Sequence, residues 1–460
     1  MTIETSIIYP TNKHNRPAPP TRVHLHGLDR ISAAIQIHNH RFFSRPSVTI
    51  ADVIDQLKSS LAEALELYPP LASTVQSNDK GDVYIVMDKE EIVGTPFLVD
   101  LKDTPYTQDT EDLSPRTDVI LPPMASTLAV KVTQFSCGTI CVASSFNHQV
   151  ADLRGFLDFL ELWAKVNRNE PVDFTRIPDD WTRTPGRFFS ELIKELSGQS
   201  IPSPAPFKLL DIPSLAPPAY LLAPSVATNW KLTKASMDQL KHDFSPPVGS
   251  HSWISSGDAL AALVSGAITR AREGAQVVRL DGRSSPASGV ESIAMAADGR
   301  DRAPKGDMSG GHYLGNFNNL WSLTVSRADL LSPTPEASGR VALAIRSNLE
   351  IQLSPESVAK RVAFFDDPAT NTPPGRVGWS ADIILTNWCR FDLKGPKLDF
   401  GWGSQLFEAT SGGGKIFPPA YSIMTQDKAT GDVFVLLTVE KEGQTGLVSD
   451  PLMTKYATLV

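Results

Sequence analysis

SSFNHQVADLRGF, residues 144–156, ends a β-branched apolar run (TICVASSF) on His148 and sets Asp152 four positions later, at the mouth of an amphipathic stretch. Beyond it, Leu153, Phe156, Leu157, Leu160 and Trp163 share one stripe at helical spacing, which predicts a helix to about Asn167. The stretch reads as strand, turn, helix, and sheet proteins display reactive groups at such junctions. A neutral imidazole there can take a proton from an alcohol as the alcohol bonds to a carbonyl. Asp152 stands where a helix N-terminus favours an anion, and Gly155 would let the helix backbone approach a neighbour closely. Of the nine histidines, only His148 has an Asp four residues on. On these residues alone two readings stand: a general base at a strand end, or a structural histidine beside an ordinary helix cap.

The bulk of the chain narrows the choice. At 460 residues it exceeds one ordinary core, so two domains are expected. A net charge of −8 argues against nucleic acid or an anionic membrane surface as the partner, and an anionic co-substrate would need a local basic pocket. No apolar run reaches the ~20 residues that span a bilayer, and the start, MTIETSIIYPTNKHNRP, does not read as a secretory signal. Cys137, Cys141 and Cys389 are too few and too odd in number for a disulfide framework, so a reducing, cytoplasmic setting is expected.

Seven prolines fall between residues 202 and 224, and proline fixes φ and removes a donor, so neither helix nor central strand is expected there. The stretch divides the chain into an N-terminal lobe (1–196), a crossover (197–226) and a C-terminal lobe (227–460). In the first lobe, TIADVIDQLKSSLAEALEL from Thr49 predicts a helix opened by a Thr49/Asp52 capping box and stopped by Pro69 and Pro70. LAVKVTQF and TICVASSF predict a hairpin turning at SCG. In the second, TKASMDQLKHDF and SGDALAALVSGAITRARE predict helices, while ESIAMAAD, ADIILTNW and VFVLLTVE predict strands. Both lobes are therefore α/β, each a mixed sheet flanked by helices.

The second decisive stretch is TNWCRFDLKGPKLDFGWG, which holds Asp399, Phe400, Gly401, Trp402 and Gly403 in the order DFGWG. Together with H-x-x-x-D at His148 and Asp152, it resembles the BAHD acyl-CoA-dependent acyltransferases. Lesser matches run along the chain: LDRISA from Leu28, YPPLAS from Tyr68, SSGDALAAL from Ser255, DGRDR from Asp298 and YLGN from Tyr313. Two departures from the family pattern, the missing Gly-Arg after YPPLAS and Gly257 in place of an aromatic, are similar to what a divergent branch such as the fungal trichothecene acetyltransferases would carry.

The resemblance implies two lobes of chloramphenicol-acetyltransferase-like topology with a channel between them. Acyl-CoA, with acetyl-CoA expected, would be the co-substrate, and the partner a small-molecule alcohol or amine of secondary metabolism. It implies His148 as general base, with no acyl-enzyme. Asp152 would point away from the substrate and pair with an arginine. Asp399 would order the DFGWG loop, with Arg300 as its expected partner. Thr386 and Trp388 match oxyanion donors in plant relatives, although a core tryptophan explains Trp388 equally well. Ser255, Ser256, Arg300 and Trp402 are the expected acyl-CoA contacts, although a plain N-cap explains Ser255 equally well. No metal, nucleic acid or membrane is expected, and the chain is expected to be a monomer.

VHLHG and IHNHR each place two histidines on one strand face, but no acid or cysteine completes a metal site nearby. SGGGK at 411–415 lacks the phosphate-loop pattern. Two rivals remain. A condensation-type domain would use a carrier-protein thioester; it usually has a histidine where Asn147 stands and a glycine where Leu153 stands. The other rival is a non-catalytic binder of the same fold.

Overall fold

The computed structural model describes the chain apart from residues 1–2, 33–34, 80–81, 109–111, 119, 179–180, 205–206, 210–222, 278–287, 305–312, 368–376, 380 and 412–416. Much of the expected proline-rich crossover and most of the SGGGK stretch lie outside the described residues.

Two mixed sheets organise the molecule. The first has six strands in the order Glu4–Ile8, Thr95–Leu101, Leu128–Gln134, Ile140–Asn147, Gln36–Phe43 and Leu406–Thr410. The expected hairpin is there: Leu128–Gln134 pairs antiparallel with Ile140–Asn147, with Lys131 opposite Ala143. The helices Ile50–Leu67 and Leu153–Asn167 cover one face, because their apolar stripes bury Leu57, Leu61, Phe156, Leu160 and Trp163 against Val130, Val132, Val142 and Phe146. Thr49 and Asp52 form the predicted capping box.

The second sheet has seven strands: Asn318–Ser326, Val290–Asp298, Ile383–Asn387, Tyr421–Gln426, Val433–Val439, Val226–Leu232 and Thr458–Leu459. Its core closes around the helix Ser256–Gly274, whose Ala- and Leu-rich middle from Ala259 to Ala267 is buried. Among the described residues no helix is long and apolar enough to cross a membrane, and Cys137, Cys141 and Cys389 are free thiols.

One boundary needs correction. The DFGWG stretch was expected in the second lobe, yet Leu398, Phe400, Trp402 and Leu406 pack in the first lobe's core. Leu406–Thr410 hydrogen-bonds antiparallel to Gln36–Phe43 and closes that edge of the first sheet. An exposed strand edge with unpaired N–H and C=O groups is costly, and here a segment from the far half of the chain covers it. A third cluster, with Leu28, Phe188, Tyr313, Phe317 and Val358, joins residues from both halves.

Candidate active site between the lobes

The site is built outward from the turn that ends Ile140–Asn147. Asn147 Oδ1 accepts from the Gln149 amide (2.9 Å), and the His148 amide donates to Ile35 O (2.9 Å), so the turn is tied to the strand edge. Asp152 then caps the helix, accepting from the Gly155 amide at 3.0 Å. Phe146 and Phe156 stack at 3.9 Å, locking strand to helix across the turn. A side chain at Gly155 would run into the backbone of Leu314, which shows why the helix begins with a small residue there.

Leu314 belongs to the stretch that completes the imidazole's surroundings. Asn316 Nδ2 donates to His148 O (2.7 Å) and to Asp29 Oδ1 (3.0 Å), and the Asn316 amide donates to the same carboxylate oxygen (2.7 Å). With both amide protons so used, the Asn316 oxygen must be the acceptor in its 3.0 Å contact with His148 Nδ1. His148 therefore carries its proton on Nδ1, and Nε2 keeps a lone pair. Burial pushes the imidazole below its ordinary range, and the nearby groups, Asp152, Asn316 and Asp29 among them, offset only part of that. The half-buried ring is thus a neutral base at neutral pH.

Asp152 serves another purpose. Arg300 Nη1 donates to Asp152 Oδ2 (2.9 Å) and Nη2 to Oδ1 (3.2 Å), while the Phe317 amide donates to Oδ2 (2.8 Å). Arg300 also bonds Asp298 (3.0 Å) and the carbonyls of Tyr313 (2.7 Å) and Gly315 (2.8 Å). Burial alone would pull this guanidinium down; the carboxylates of Asp152 and Asp298 hold it above its usual range. The expected arginine partner of Asp152 is Arg300. Two other expectations for Arg300 fall with that, because its guanidinium is committed. It is not the partner of Asp399, and at 3% exposure it offers nothing to a cofactor.

Asp399 lies at the opposite end of the same helix, ~22 Å away at 1.5 Å per residue over 15 residues. Its carboxylate accepts from the Gly401 amide (2.7 Å), and Arg168 donates to its carbonyl. Asn167 Nδ2 holds Phe400 O at 2.7 Å. Gly401 and Gly403 take φ of +86° and +68°, and a Cβ at Gly401 would come 2.7 Å from Arg168 Cγ. Trp402, expected beside the cofactor, is instead buried, stacked on Phe400 (5.2 Å) and edge-on to Phe43 (5.2 Å). The loop braces the helix that carries Asp152, and its side chains are turned to that task.

A cavity of about 180 Å³ lies between the lobes, walled by Asp152 and Leu153 on one side and by Met295, Asn318, Arg302, Thr386 and Trp388 on the other. His148 is not part of its wall; the cavity reaches the imidazole's partner through Asn318 Nδ2, 3.4 Å from Asn316 Oδ1. Thr386 Oγ1 shares a 2.8 Å hydrogen bond with the Tyr421 hydroxyl. Ser255 is the N-cap of Ser256–Gly274, its hydroxyl accepting from the Asp258 amide (3.2 Å), so the structural reading of that residue accounts for its geometry. Ser256 opens the same helix. The structure thus gathers His148 and Asp152 at one turn and Asp152, Thr386 and Trp388 around one cavity, and it leaves Asp399 and Trp402 apart. Asp29 and Asn316, not picked out as site residues from sequence, are the two the structure adds, and both sit in motif matches (LDRISA and YLGN). Among the described residues no cluster of His, Cys, Asp or Glu could hold a metal.

Comparison with known proteins agrees with this architecture. Residues 1–450 match the family model described as the Transferase family. The chain is 25% identical to acyltransferase uat1 of Mycosarcoma maydis over 91% of this chain and 86% of that one. It is 24% identical to a hydroxycinnamoyltransferase of Narcissus pseudonarcissus over 95% and 96%. The crystal structure of F. graminearum TRI101 complexed with coenzyme A and deoxynivalenol superposes with a TM-score of 0.74 at 18% identity, covering 96% of this chain and 100% of that one.

Proposed function

Because the chain belongs to the Transferase family, the BAHD acyltransferases, we propose that it moves an acyl group, acetyl in the first instance, from acyl-CoA to a hydroxyl of a small molecule. His148 Nε2 takes the proton of the acceptor hydroxyl as its oxygen attacks the thioester carbonyl. A tetrahedral intermediate forms directly, with no acyl-enzyme, and its oxyanion is met by the Trp388 indole N–H and the Thr386 hydroxyl. The indole is donor-only, which suits that task. Collapse breaks the carbon–sulfur bond, and the imidazolium returns the proton to the departing thiolate, a far better leaving group than an alkoxide because a thiol has a pKa of roughly 8.5. Asp152 holds the turn through Arg300 and moves no proton, and Asp399 orders its own loop.

The observation that carries this reading is the Asn316 amide, whose two protons are spent on His148 O and Asp29 and whose oxygen fixes the imidazole proton on Nδ1. The bound coenzyme A and deoxynivalenol of the TRI101 structure support a thioester donor and a hydroxylated acceptor. The test is release of free thiol from acetyl-CoA in the presence of a panel of hydroxylated small molecules. His148→Ala should lower turnover by about 10²–10⁴-fold, the usual size of a general-base contribution, with the circular dichroism spectrum unchanged. Retained turnover in that variant, or turnover only with a carrier-protein thioester, overturns the proposal.

A further inference from the structure

Trp253 stands three positions before the helix Ser256–Gly274 and is 55% exposed, although it is among the largest apolar side chains in the molecule. One face of its ring is occupied: the Arg346 guanidinium lies over it, 4.3 Å from the ring centroid. Arg346 is itself fixed, donating to Asp258 Oδ2 (2.8 Å) and to Ser255 Oγ (2.9 Å). The indole is therefore backed by a held cation and presents its other face to solvent, as a stacking platform requires.

The helix that this platform precedes borders the cavity between the lobes. A Cβ at Gly257 would come 3.4 Å from Asn387 Nδ2, and Asn387 lines that cavity. Arg302 and Arg390 line it too. Arg390 is neutralised by Asp301 and Arg346 by Asp258. Arg302 makes no ion pair among the described residues, and its Nε is buried without a partner. Burial first, then Arg390 and Arg346, bias its guanidinium downward, and Asp301 and Asp298 offset part of that. A flat aromatic face, a cation with no salt bridge among the described residues and a cavity thus belong to the second lobe, in a chain whose overall charge is negative.

We propose that Trp253 and Arg302 hold the nucleotide end of the acyl-CoA, the adenine stacking on the free face of the indole and a phosphate resting on Arg302, while the thioester arm runs into the cavity toward Trp388. The inference rests on the acyl-CoA reading above and extends it to two residues outside every motif match but one, since Arg302 closes the DGRDR stretch. The platform selects donors by their nucleotide.

The experiment compares acetyl-CoA with acetyl-pantetheine, which carries the same thioester without the nucleotide. Trp253→Ala should raise the KM for acetyl-CoA by about 10-fold, the scale of one base stacking on one ring, with kcat much less affected. Trp253→Phe, which keeps a ring, should recover most of the affinity. With acetyl-pantetheine the same variants should stay within about twofold of the unaltered chain, since no base is present to stack. In a binding assay adenosine 3′,5′-bisphosphate should compete with acetyl-CoA, and Arg302→Gln should weaken that competition. An equal KM penalty for both donors, or none for acetyl-CoA, overturns the platform while leaving the acyltransferase reading intact. An unaltered chain that never uses acetyl-CoA sinks the reading and the platform together.

Discussion

The helix Leu153–Asn167 is held at both ends, and the two ends are held differently. At its start, Asp152 accepts from Gly155, from both Nη atoms of Arg300 and from Phe317, all within a space that leaves it 3% exposed. At its finish, Asn167 and Arg168 donate to backbone carbonyls of Phe400 and Asp399, and the Asp399 carboxylate receives the Gly401 amide while remaining half-buried. The two acids mark the two motifs and look alike as letters, yet one is a dehydrated charge tied to a cation across the lobes and the other shapes a turn. A buried carboxylate stripped of its partner must still be accommodated; a turn that loses one hydrogen bond can hydrate.

That contrast can be broken by measurement. The largest effect should come from Asp152→Ala, which strips the buried Arg300 of its two-pronged carboxylate partner, leaves it Asp298 alone of the pair, and should lower unfolding stability by about 3–5 kcal/mol in a urea titration. A loss below about 1 kcal/mol, the scale of a surface ion pair, would show that the Asp152–Arg300 pair is no knot. Asp399→Ala should cost about 1 kcal/mol, the worth of one hydrogen bond, together with a modest loss of turnover. Equal costs for the two variants would erase the distinction.

The smallest effect is on proton affinity. His148 is biased below its ordinary imidazole value of 6.5, chiefly by burial, and protonation of Nε2 removes the base. The acid limb of the rate should therefore lie below the ordinary imidazole value. Because Asp152 draws the imidazole upward, Asp152→Asn should move the acid limb lower still. Asp399→Ala should leave it in place. A limb above 6.5 in the unaltered chain contradicts the burial of the ring.

Much of this architecture was legible one element at a time. Helical spacing from Leu153 to Trp163 and the Thr49/Asp52 capping box are local patterns, and the structure keeps them. The turn at His148 was readable for the same reason. What could not be read was pairing at a distance. Arg300 was assigned to Asp399 because nothing local says which of two acids a distant guanidinium will reach, and the fold sends it to Asp152. The DFGWG loop was placed in the lobe that its position along the chain suggests, and the unpaired edge of Gln36–Phe43 drew Leu406–Thr410 across. Asp29 and Asn316 stood inside motif matches, but their tie to His148 exists only once three separate segments meet. Trp253 beside Arg346 has no signature at all in the linear order.

The borrowed strand Leu406–Thr410 has a mechanical consequence. Swinging the halves apart like a clamshell would mean peeling a ladder of backbone hydrogen bonds from the sheet edge, and the bracing loop just before it would have to leave the core as well. The two halves are stitched along that edge. Severing the chain between its halves would leave each piece lacking part of its own architecture.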